Sequence, residues 1–316
     1  MRQPRLIQRY REDLVAMRAE LAAGLQSEAA SLAPKYLYDA LGARLFEAIT
    51  ELPEYYPTRT EAALLAAHGP ALTACLPQGA TLVDLGAGNC RKAARLFGWV
   101  HPSRYVAVDI AADFLASALH ALQQQFPALD MLGVVQDFST TLALPPEAGE
   151  GPRLLYYPGS SIGNFTPEQA LHFLRQARSQ AQGGGLLVGV DLLKPLSLLE
   201  PAYDDALGVT AAFNKNLLLH VNRLLGSDFE VHDWAHRALF DTARSRIEMH
   251  LVARRDLTVR WPGAQRRFAA GEHIHTENAY KYAPQDFELL LREAGFSQIR
   301  RWEDERGWFA MFWAEG

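Results

Sequence analysis

Cysteine is scarce in this sequence, and so are other features that would indicate particular classes of protein. Cys75 and Cys90 are the only cysteines among 316 residues, too few for a disulfide framework or a zinc site built from thiolates. No apolar run approaches the length of about 18 residues that a transmembrane helix needs. The first residues (MRQPRLIQRYREDL) also lack the apolar stretch of a secretory signal. We therefore expect a cytoplasmic protein without a membrane partner.

The chain also lacks a surplus of basic residues. Its 31 Lys and Arg residues are outnumbered by 36 Asp and Glu residues, which gives a formal net charge of −5. Domains that bind nucleic acid usually carry a basic patch that neutralises phosphates, so this balance argues against a nucleic-acid partner. Hydrophobic residues make up 49% of the chain and charged residues 21%, which is typical of a globular protein.

What the sequence does contain is an alternation of short apolar runs and helical stretches from about residue 61 to 190. The apolar runs lie at 81–88, 104–110, 131–138, 153–161 and 184–193, with helical candidates at 89–100, 111–126 and 167–182. This alternation predicts βαβ units and a mostly parallel, doubly wound sheet. Runs such as LLVGV are apolar throughout, as expected for strands covered on both faces.

The rhythm changes after Asp191. Residues 197–224 are predicted to be helical, as are residues 11–30 near the start of the chain. Segments 245–260 and 264–282 alternate apolar and polar residues, which indicates antiparallel strands of a second region. A helix is predicted at 285–295, followed by two strands within 296–316 that would complete the large sheet. The second region would then be an insertion.

The first apolar run ends in a glycine-rich turn, Gly86-Ala87-Gly88. Glycine lets the backbone approach a ligand closely and adopt positive φ angles. The third glycine of a dinucleotide-binding turn is absent because Arg91 stands in its place, and no P-loop Gly-Lys-Ser/Thr sequence is present. The turn alone is therefore a weak signal for a nucleotide of some kind.

Acidic residues end the next two strands and narrow this interpretation. Asp109 ends the second strand, where a carboxylate can bind ribose hydroxyls. Asp137 and Phe138 end the third, well placed for an adenine amino group and a stacking contact. Together with the glycine turn they fit adenosine without a pyrophosphate, the pattern of S-adenosylmethionine (SAM) methyltransferases. The alternative is that these acids only cap helices.

Six further segments are long and uncommon. They are 34–39 (PKYLYD), 52–61 (LPEYYPTRTE), 159–166 (GSSIGNFT), 202–205 (AYDD), 208–214 (GVTAAFN) and 246–249 (RIEM). From about residue 30 to the C-terminus, the chain resembles the histidine-specific Nα-methyltransferase family. That family makes trimethylhistidine (hercynine) for ergothioneine biosynthesis, so the resemblance implies SAM as cofactor and an amino acid as small-molecule substrate.

The resemblance also implies an α/β fold in two parts. A Rossmann-like, doubly wound SAM-methyltransferase domain would comprise 61–192 plus 283–316. A second, α+β substrate-binding domain would be built from the N-terminus and an insertion, 1–60 plus 193–282. We expect a monomer or a weak homo-oligomer.

Roles for individual residues follow from the same resemblance. The cofactor-binding residues would be Gly86, Gly88, Lys92, Asp109, Asp137, Phe138 and Gly159. The substrate-binding residues would be Tyr56, Asn164, Tyr203, Met249, Glu277 and Ala279. Tyr38 and Tyr56 would be the catalytic residues, lining the pocket near the amine and orienting its lone pair. Asn164 and Tyr203 would hold the carboxylate, and Glu277 would accept an imidazole N–H.

One position departs from the family pattern. The family has a serine that recognises the imidazole two residues beyond the acidic residue, where this chain has Ala279. The loss of one hydrogen bond typically costs about 1 kcal/mol. Ala279 therefore keeps open the same chemistry on another amino acid or a histidine derivative. A separate alternative is a non-catalytic relative that binds SAM or an amino acid.

Two histidine patterns and one acidic residue have other interpretations. His273, His275 and Glu277 alternate, so on a regular strand all three would face one side and could bind a metal. The segment 232–236 (HDWAH) is similar to H-E-x-x-H but lacks its glutamate. We expect no metal. Glu61 is interpreted only as part of a charge pair at the start of a helix.

Overall fold

The computed structural model of the protein describes residues 2–9 and 13–316. The strands in this part of the chain are β1 (Arg5–Gln8), β2 (Thr81–Leu85), β3 (Arg104–Asp109), β4 (Asp130–Val135), β5 (Arg153–Tyr157), β6 (Gly185–Asp191), β7 (Trp234–Asp241), β8 (Arg246–Ala253), β9 (Leu257–Trp261), β10 (Ala264–Phe268), β11 (His273–Tyr280), β12 (Ser297–Glu303) and β13 (Phe309–Glu315). The α-helices are α1 (Leu14–Gln26), α2 (Ala40–Thr50), α3 (Tyr56–Thr73), α4 (Arg91–Ala94), α5 (Phe97–Val100), α6 (Ala112–Gln125), α7 (Pro167–Ala181), α8 (Leu196–Leu199), α9 (Val209–Leu225) and α10 (Pro284–Glu293).

The chain divides into two compact units. The larger unit contains residues 57–193 and 281–316 together with the described N-terminal residues 2–9, and the smaller unit contains 13–56 and 194–280. The assignment of all of 1–60 to the second domain needs one correction, because β1 pairs in parallel with β4 in the sheet of the larger unit. The signal for β1 was weak, since it has only four residues and they are mostly exposed.

The larger unit is built on one eight-stranded sheet with the strand order β1-β4-β3-β2-β5-β6-β13-β12. The strands from β1 to β6 are parallel, whereas β13 runs antiparallel to both β6 and β12. The sheet is therefore mixed, in an α/β Rossmann-like fold. The predicted C-terminal strands complete this sheet, as expected.

The order of the sheet reverses between β2 and β5. From β2 the chain proceeds outward through β3 and β4, then returns to place β5 on the other side of β2. In open α/β sheets, ligands bind in the crevice outside the carboxyl ends of the strands at such a reversal. β2 and β5 are buried at every residue, so the functional groups must come from the turns that follow them.

The smaller unit contains two antiparallel sheets. One has the order β11-β8-β7 and the other pairs β10 with β9. Helix α9 lies against β7 and β8, and the Nδ2 atom of its Asn214 donates to the His250 carbonyl at 3.1 Å. The antiparallel strands of the second region are confirmed, although β7 was not anticipated from the sequence.

Two predicted helices are interrupted. The stretch 197–224 forms α8 and α9 with a loop between them, and 89–100 forms α4 and α5. In the first case Pro201 lacks a backbone N–H and disfavours helix at the residue before it. Gly208, with a φ of +74°, is the N-cap residue of α9. No helix within residues 2–9 and 13–316 has the length and apolar character that crossing a membrane requires.

Candidate active site

The turn after β2 forms an open cradle. Gly86 and Gly88 have φ angles of +71° and +51°, in the left-handed region that glycine adopts without strain. A Cβ on Gly86 would meet only the Phe138 ring, at 3.8 Å, and a Cβ on Gly88 would meet nothing within 4 Å. The Gly86 and Ala87 amides donate to the Val108 carbonyl at 2.9 and 3.0 Å. Hydrogen bonds to β3 therefore fix the turn on one side, while in the described part of the chain no side chain covers its backbone at the two glycines.

Asp109 fixes this turn from the neighbouring strand. Its Oδ2 accepts a hydrogen bond from the Gly88 amide at 2.8 Å, and its Oδ1 accepts one from the Ala111 amide at 3.0 Å. Burial raises the pKa of Asp109, while the backbone amides that it accepts from lower it. The carboxylate thus sits beside the glycine turn with lone pairs left to accept further hydrogen bonds, as ribose hydroxyls would require.

Asp137 and Phe138 lie in the segment after β4. Asp137 Oδ1 accepts hydrogen bonds from the Ser139 amide at 2.9 Å and from its hydroxyl at 2.5 Å. The Phe138 ring packs edge-on against Tyr157, with centroids 5.9 Å apart. The residues predicted to hold adenosine therefore lie at the carboxyl ends of β2, β3 and β4, which are neighbours in one sheet. Asp109 is the last residue of β3, and the others follow β2 and β4.

Lys92 and Gly159 share a partner that the sequence interpretation overlooked. Lys92 Nζ lies 2.8 Å from Glu61 Oε2, and the Gly159 amide donates to Glu61 Oε1 at 2.7 Å. Glu61 is therefore not only one partner of a charge pair at the start of a helix, because it contacts both Lys92 and Gly159. No spacing in the sequence relates residues 61, 92 and 159, so only the folded chain reveals this set.

The segment after β5 carries Asn164, the last residue of a short 3-10 helix, Ser161–Asn164. The Ser160 hydroxyl oxygen accepts from the Asp191 amide at 2.8 Å, which ties this segment to the end of β6. Asp191 Oδ2 also lies 2.8 Å from Lys281 Nζ, and both side chains are 1% exposed. A buried ion pair of this kind is costly to break, so the end of β6 is fixed. The hydrogen bond between Ser160 and Asp191 therefore anchors the segment that carries Asn164.

In the smaller unit, a β-bulge decides where Glu277 points. His275 pairs with His250, and Glu277 pairs with Met249, so Thr276 is an extra residue without an opposite partner. Its hydroxyl donates to the Met249 carbonyl at 3.0 Å. Because a bulge interrupts the alternation of side chains, Glu277 shares a sheet face with Met249 and not with His275.

This placement overturns the idea of a single H-x-H-x-E face. His275 and His273 lie on the face of His250, with ring centroids 5.3 and 5.2 Å from it, while Glu277 lies on the other face. Among residues 2–9 and 13–316 no group of three or more His, Cys, Asp or Glu side chains is arranged to hold a metal ion. Segment 232–236 is not an α-helix either, since a short 3-10 helix, Val231–Asp233, is followed directly by β7 at Trp234.

The bulge also gathers three predicted substrate-binding residues. Ala279 pairs with Ile247, so Ala279 lies two residues along the same face as Glu277 and beside Met249. Ala279 is 5% exposed and Ile247 is fully buried. Position 279, where the resemblance implies a serine, is therefore apolar and paired with an apolar neighbour.

The two tyrosines assigned to catalysis lie in different surroundings within the smaller unit. Tyr38 packs edge-on against Phe46 and Phe213, with centroids 5.7 and 5.5 Å apart. Tyr56 is buried, and Lys194 Nζ donates to its hydroxyl at 3.0 Å while lying 4.5 Å from its ring centroid. Phe46 and Lys194 were not part of the sequence prediction, and Phe213 entered it only within the segment 208–214.

Tyr203 is held by a histidine. His236 Nε2 lies 2.8 Å from the Tyr203 carbonyl, and its Nδ1 lies 2.9 Å from Asn214 Nδ2. A carbonyl only accepts, so Nε2 carries the proton and Nδ1 accepts from the amide. Burial lowers the pKa of His236 and favours this neutral form. Part of the segment AYDD is thus explained by packing, and Asp205 accepts from the amides of Val209 and Thr210 at the start of α9.

Comparison with known proteins decides the family. A family model described as histidine-specific methyltransferase, SAM-dependent, matches residues 17–316. The chain belongs to this family. As a member of it, the protein is a SAM-dependent methyltransferase, and the open glycine cradle with Asp109 beside it fits that cofactor.

Individual relatives agree with the family model. The chain is 40% identical over 303 residues to a protein named histidine N-alpha-methyltransferase from Mycolicibacterium smegmatis, and the match covers 94% of each chain. It is 39% identical over 312 residues to the protein of the same name from Mycobacterium tuberculosis, again covering 94% of each. N-methyltransferase fsqC from Aspergillus fumigatus is 30% identical over 289 residues, which cover 88% of this chain and 78% of the relative.

The predicted site residues of this histidine-specific methyltransferase family member fall into two groups, one in each unit. Those of the larger unit lie at or after the carboxyl ends of its parallel strands: Gly86, Gly88, Lys92, Asp109, Asp137, Phe138, Gly159 and Asn164. Those of the smaller unit (Tyr38, Tyr56, Tyr203, Met249, Glu277 and Ala279) lie on the β8–β11 face, in loops or at a helix end. Their individual roles stay predictions.

Proposed function

We propose that this protein transfers methyl groups from SAM to the α-amino group of free L-histidine, up to the trimethylated product, hercynine. The observation that carries the proposal is the similarity to histidine N-alpha-methyltransferases along nearly the whole of both chains, at 40% identity. Similarity of that extent includes both the cofactor-binding segments and the segments of the smaller unit. This extent of similarity supports the proposal that one chain both recognises the substrate and binds the methyl donor.

The cofactor residues fit their proposed partner. Asp109 and Asp137 would accept hydrogen bonds from the ribose hydroxyls and the adenine amino group, and the bare backbone at Gly86 and Gly88 would face the rest of the cofactor. When bound, SAM supplies a methyl group on a sulfonium that a neutral amine displaces in line. Displacement of this kind gains most from holding the nitrogen close and on axis, so positioning is the main task of the protein.

Recognition of the amino acid is assigned to neutral donors and one carboxylate. We propose that the Asn164 amide and the Tyr203 hydroxyl donate to the substrate carboxylate, and that Met249 packs against the substrate side chain. Glu277 would accept an imidazole N–H in a charge-assisted hydrogen bond. The bulge at Thr276 supports this role, because it turns Glu277 away from the polar histidine face.

Tyr38 and Tyr56 are proposed to hold the reacting amine. The hydroxyl of Tyr56 accepts from Lys194, whose ammonium has only donors. Tyr38 lies against two phenylalanine rings, Phe46 and Phe213. Aromatic faces attract quaternary ammonium groups, which supports a site that tolerates an amine carrying successively more methyl groups.

A second acceptor is favoured by one observation. Ala279 is packed against the buried Ile247 where the family has a serine, so the pocket offers one hydrogen bond fewer to an imidazole. The second candidate function is the same chemistry on another amino acid or on a histidine derivative. Glu277 alone would then select for a side chain with one N–H donor.

The test is a panel assay. The purified protein is incubated with SAM and single free amino acids, and mass spectrometry follows the addition of one, two and three methyl groups. Triple methylation confined to histidine is the expected result. Turnover of a different amino acid would replace histidine as the substrate, and an absence of turnover with the whole panel would contradict the proposal.

The variant Ala279→Ser sharpens the assay. If Glu277 and position 279 both contact the imidazole, the added hydroxyl should raise kcat/KM for histidine about fivefold, as expected for one hydrogen bond of about 1 kcal/mol. Ala235→Ser is the matched control, because Ala235 lies on the opposite face of the same sheet. Equal effects of the two variants would remove position 279 from the substrate site.

A further inference from the structure

Glu61 is a buried carboxylate in the first half of α3. Its side chain is 2% exposed, and both of its oxygens are used. Oε2 lies 2.8 Å from Lys92 Nζ, at the start of α4, and Oε1 accepts from the Gly159 amide at 2.7 Å, in the segment after β5. One carboxylate therefore joins the segment that follows the glycine cradle to the segment that carries Asn164.

The chain leaves room for this carboxylate at two places. A Cβ on Gly189, in the middle of β6, would lie 2.4 Å from Glu61 Oε1, closer than real Cβ atoms come to any atom. A Cβ on Gly159, whose φ is +76°, would lie 2.8 Å from Lys92 Nζ. Glycine at both positions keeps space on either side of the ion pair, so the pair belongs to the packing of the unit.

The two partners differ in exposure. The Lys92 side chain is 31% exposed while that of Glu61 is buried. An ammonium has three N–H donors, and Glu61 takes one of them. Glu61 thus fixes the ammonium group of Lys92 from its buried side. The exposed side of the ammonium group stays available to a ligand near the glycine cradle. An ion pair with one buried partner keeps its geometry better than two flexible side chains at the surface would.

We infer that Glu61 is a positioning residue for the cofactor site, which acts through Lys92, and for the Asn164 segment, which it holds through the Gly159 amide. The first arm rests on SAM binding by this family. The second arm also rests on the proposed function, because it assumes that Asn164 binds the substrate. Glu61 itself contacts neither ligand in this scheme.

Binding of S-adenosylhomocysteine, measured by isothermal titration calorimetry, tests the first arm without any turnover. Glu61→Gln keeps an acceptor for the Gly159 amide but removes the charge that holds Lys92, and it should weaken binding about tenfold. Lys92→Met should weaken binding at least as much. In the double variant, Glu61→Gln should add less than a twofold change to Lys92→Met, because its effect passes through Lys92. Glu305→Gln, an exposed carboxylate in the same unit, is the matched control and should bind as the wild type does.

The second arm is tested by the KM for the amino acid at saturating SAM. Glu61→Gln should leave this KM within twofold of the wild-type value, whereas Glu61→Ala, which also removes the acceptor for Gly159, should raise it about fivefold. A merely structural role would lower the melting temperature of both variants alike without this separation. Gly159→Ala, which crowds Lys92 with the charge of Glu61 intact, should also weaken S-adenosylhomocysteine binding and serves if the Glu61 variants do not fold.

Wild-type affinity of folded Glu61→Gln or of Gly159→Ala would overturn the first arm, as would fully additive effects in the double variant. An unchanged KM in Glu61→Ala would overturn the second. The binding comparisons do not depend on which amino acid is methylated. If the histidine assay failed, the first arm would still be decided by the measurements of S-adenosylhomocysteine binding.

Discussion

The two units of this protein place their predicted site residues by different means. In the larger unit, the residues follow the ends of parallel strands, so Asp109 and the glycine turn are set by where β2 and β3 end. In the smaller unit, an extra residue in β11 decides which face Glu277 occupies. In parallel βαβ units, the point where a strand ends sets the place of a site residue. In an antiparallel sheet, one inserted residue can move a side chain from one face to the other.

Electrostatics differ between the units as well. The larger unit buries carboxylates near its glycine turn, among them Asp84, whose pKa is raised by burial to about 7. The smaller unit buries histidines, and burial lowers the pKa values of His236, His250 and His275. Burial therefore opposes the deprotonation of Asp84 in the larger unit and the protonation of these three histidines in the smaller unit. Each contrast can be tested by a separate substitution.

The largest effect is expected from Asp109→Ala in the larger unit. The change removes the acceptor for the Gly88 and Ala111 amides and for the proposed ribose hydroxyls. At about 3 kcal/mol for hydrogen bonds to a charged group, S-adenosylhomocysteine affinity should fall roughly 150-fold. Calorimetric titration measures it, with Asp113→Ala, an exposed acid in the first turn of α6, as control. Near-normal affinity would show that the strand end does not set this site.

The pH dependence of stability should have opposite signs in the two units. For Asp84, between pH 3.8 and about 7 the folded chain holds the proton that the unfolded chain has released, so stability falls as pH rises through this window. For the three histidines, the unfolded chain binds protons more readily below pH 6.5, so stability falls as pH drops.

Two variants separate these contributions in denaturant unfolding. Wild-type stability should fall between pH 5 and pH 7, and Asp84→Asn should make that fall in the free energy of unfolding about 2 kcal/mol smaller. His250→Gln should reduce the loss on the acid side. Asp286→Asn, at an exposed acid in α10, is the control. An unchanged pH slope in Asp84→Asn would show that Asp84 is already ionised in the folded protein at pH 5.

Glu277→Gln addresses the smaller unit alone. Loss of a charge-assisted hydrogen bond of about 2 kcal/mol should lower kcat/KM for histidine roughly 30-fold, while S-adenosylhomocysteine affinity stays at the wild-type value. Steady-state kinetics and calorimetry measure the two quantities. Glu230→Gln, at an exposed residue of the same unit, controls for the change of charge. A matching loss of cofactor affinity would argue that the two functions are not divided as proposed.

The smallest effect is expected from His236→Phe, which removes the donor to the Tyr203 carbonyl. A neutral hydrogen bond of about 1 kcal/mol predicts a rise in the KM for histidine of roughly fivefold. His236→Gln keeps an N–H donor and should restore much of the affinity. His232→Phe, at a side chain that is 76% exposed, is the control. If Gln and Phe behave alike at position 236, Tyr203 is held by other contacts.

Much of the larger unit could be predicted from the sequence. The five apolar runs correspond to β2 to β6, and the residues that end β3 and follow β2 and β4 were identified correctly as to place. Strands buried on both faces are apolar throughout, and glycine at positive φ leaves a visible mark in the sequence. The weak points were β1, which is short and exposed, and the helix predicted at 89–100, which is broken into α4 and α5.

The smaller unit was harder for a physical reason. Alternation placed His273, His275 and Glu277 on one face, since a period of two is the only rule available for a strand. A bulge adds one residue without changing the composition, so it leaves no mark in the pattern. The contacts of His236 and Lys194 could not be anticipated because their partners lie far away in the chain: His236 is 33 residues from Tyr203, and Lys194 is 138 residues from Tyr56.

By itself, the sequence determined the α/β class, the glycine-rich turn after β2 and the family, because these depend on short segments whose physical requirements are local. Glycine where the backbone must be bare and acids at strand ends can be recognised within a few residues. Tertiary structure alone decided the face of Glu277, the neutral state of His236 and the partnership of Glu61 with Lys92 and Gly159. Those depend on pairing and burial across long separations, which no local pattern encodes.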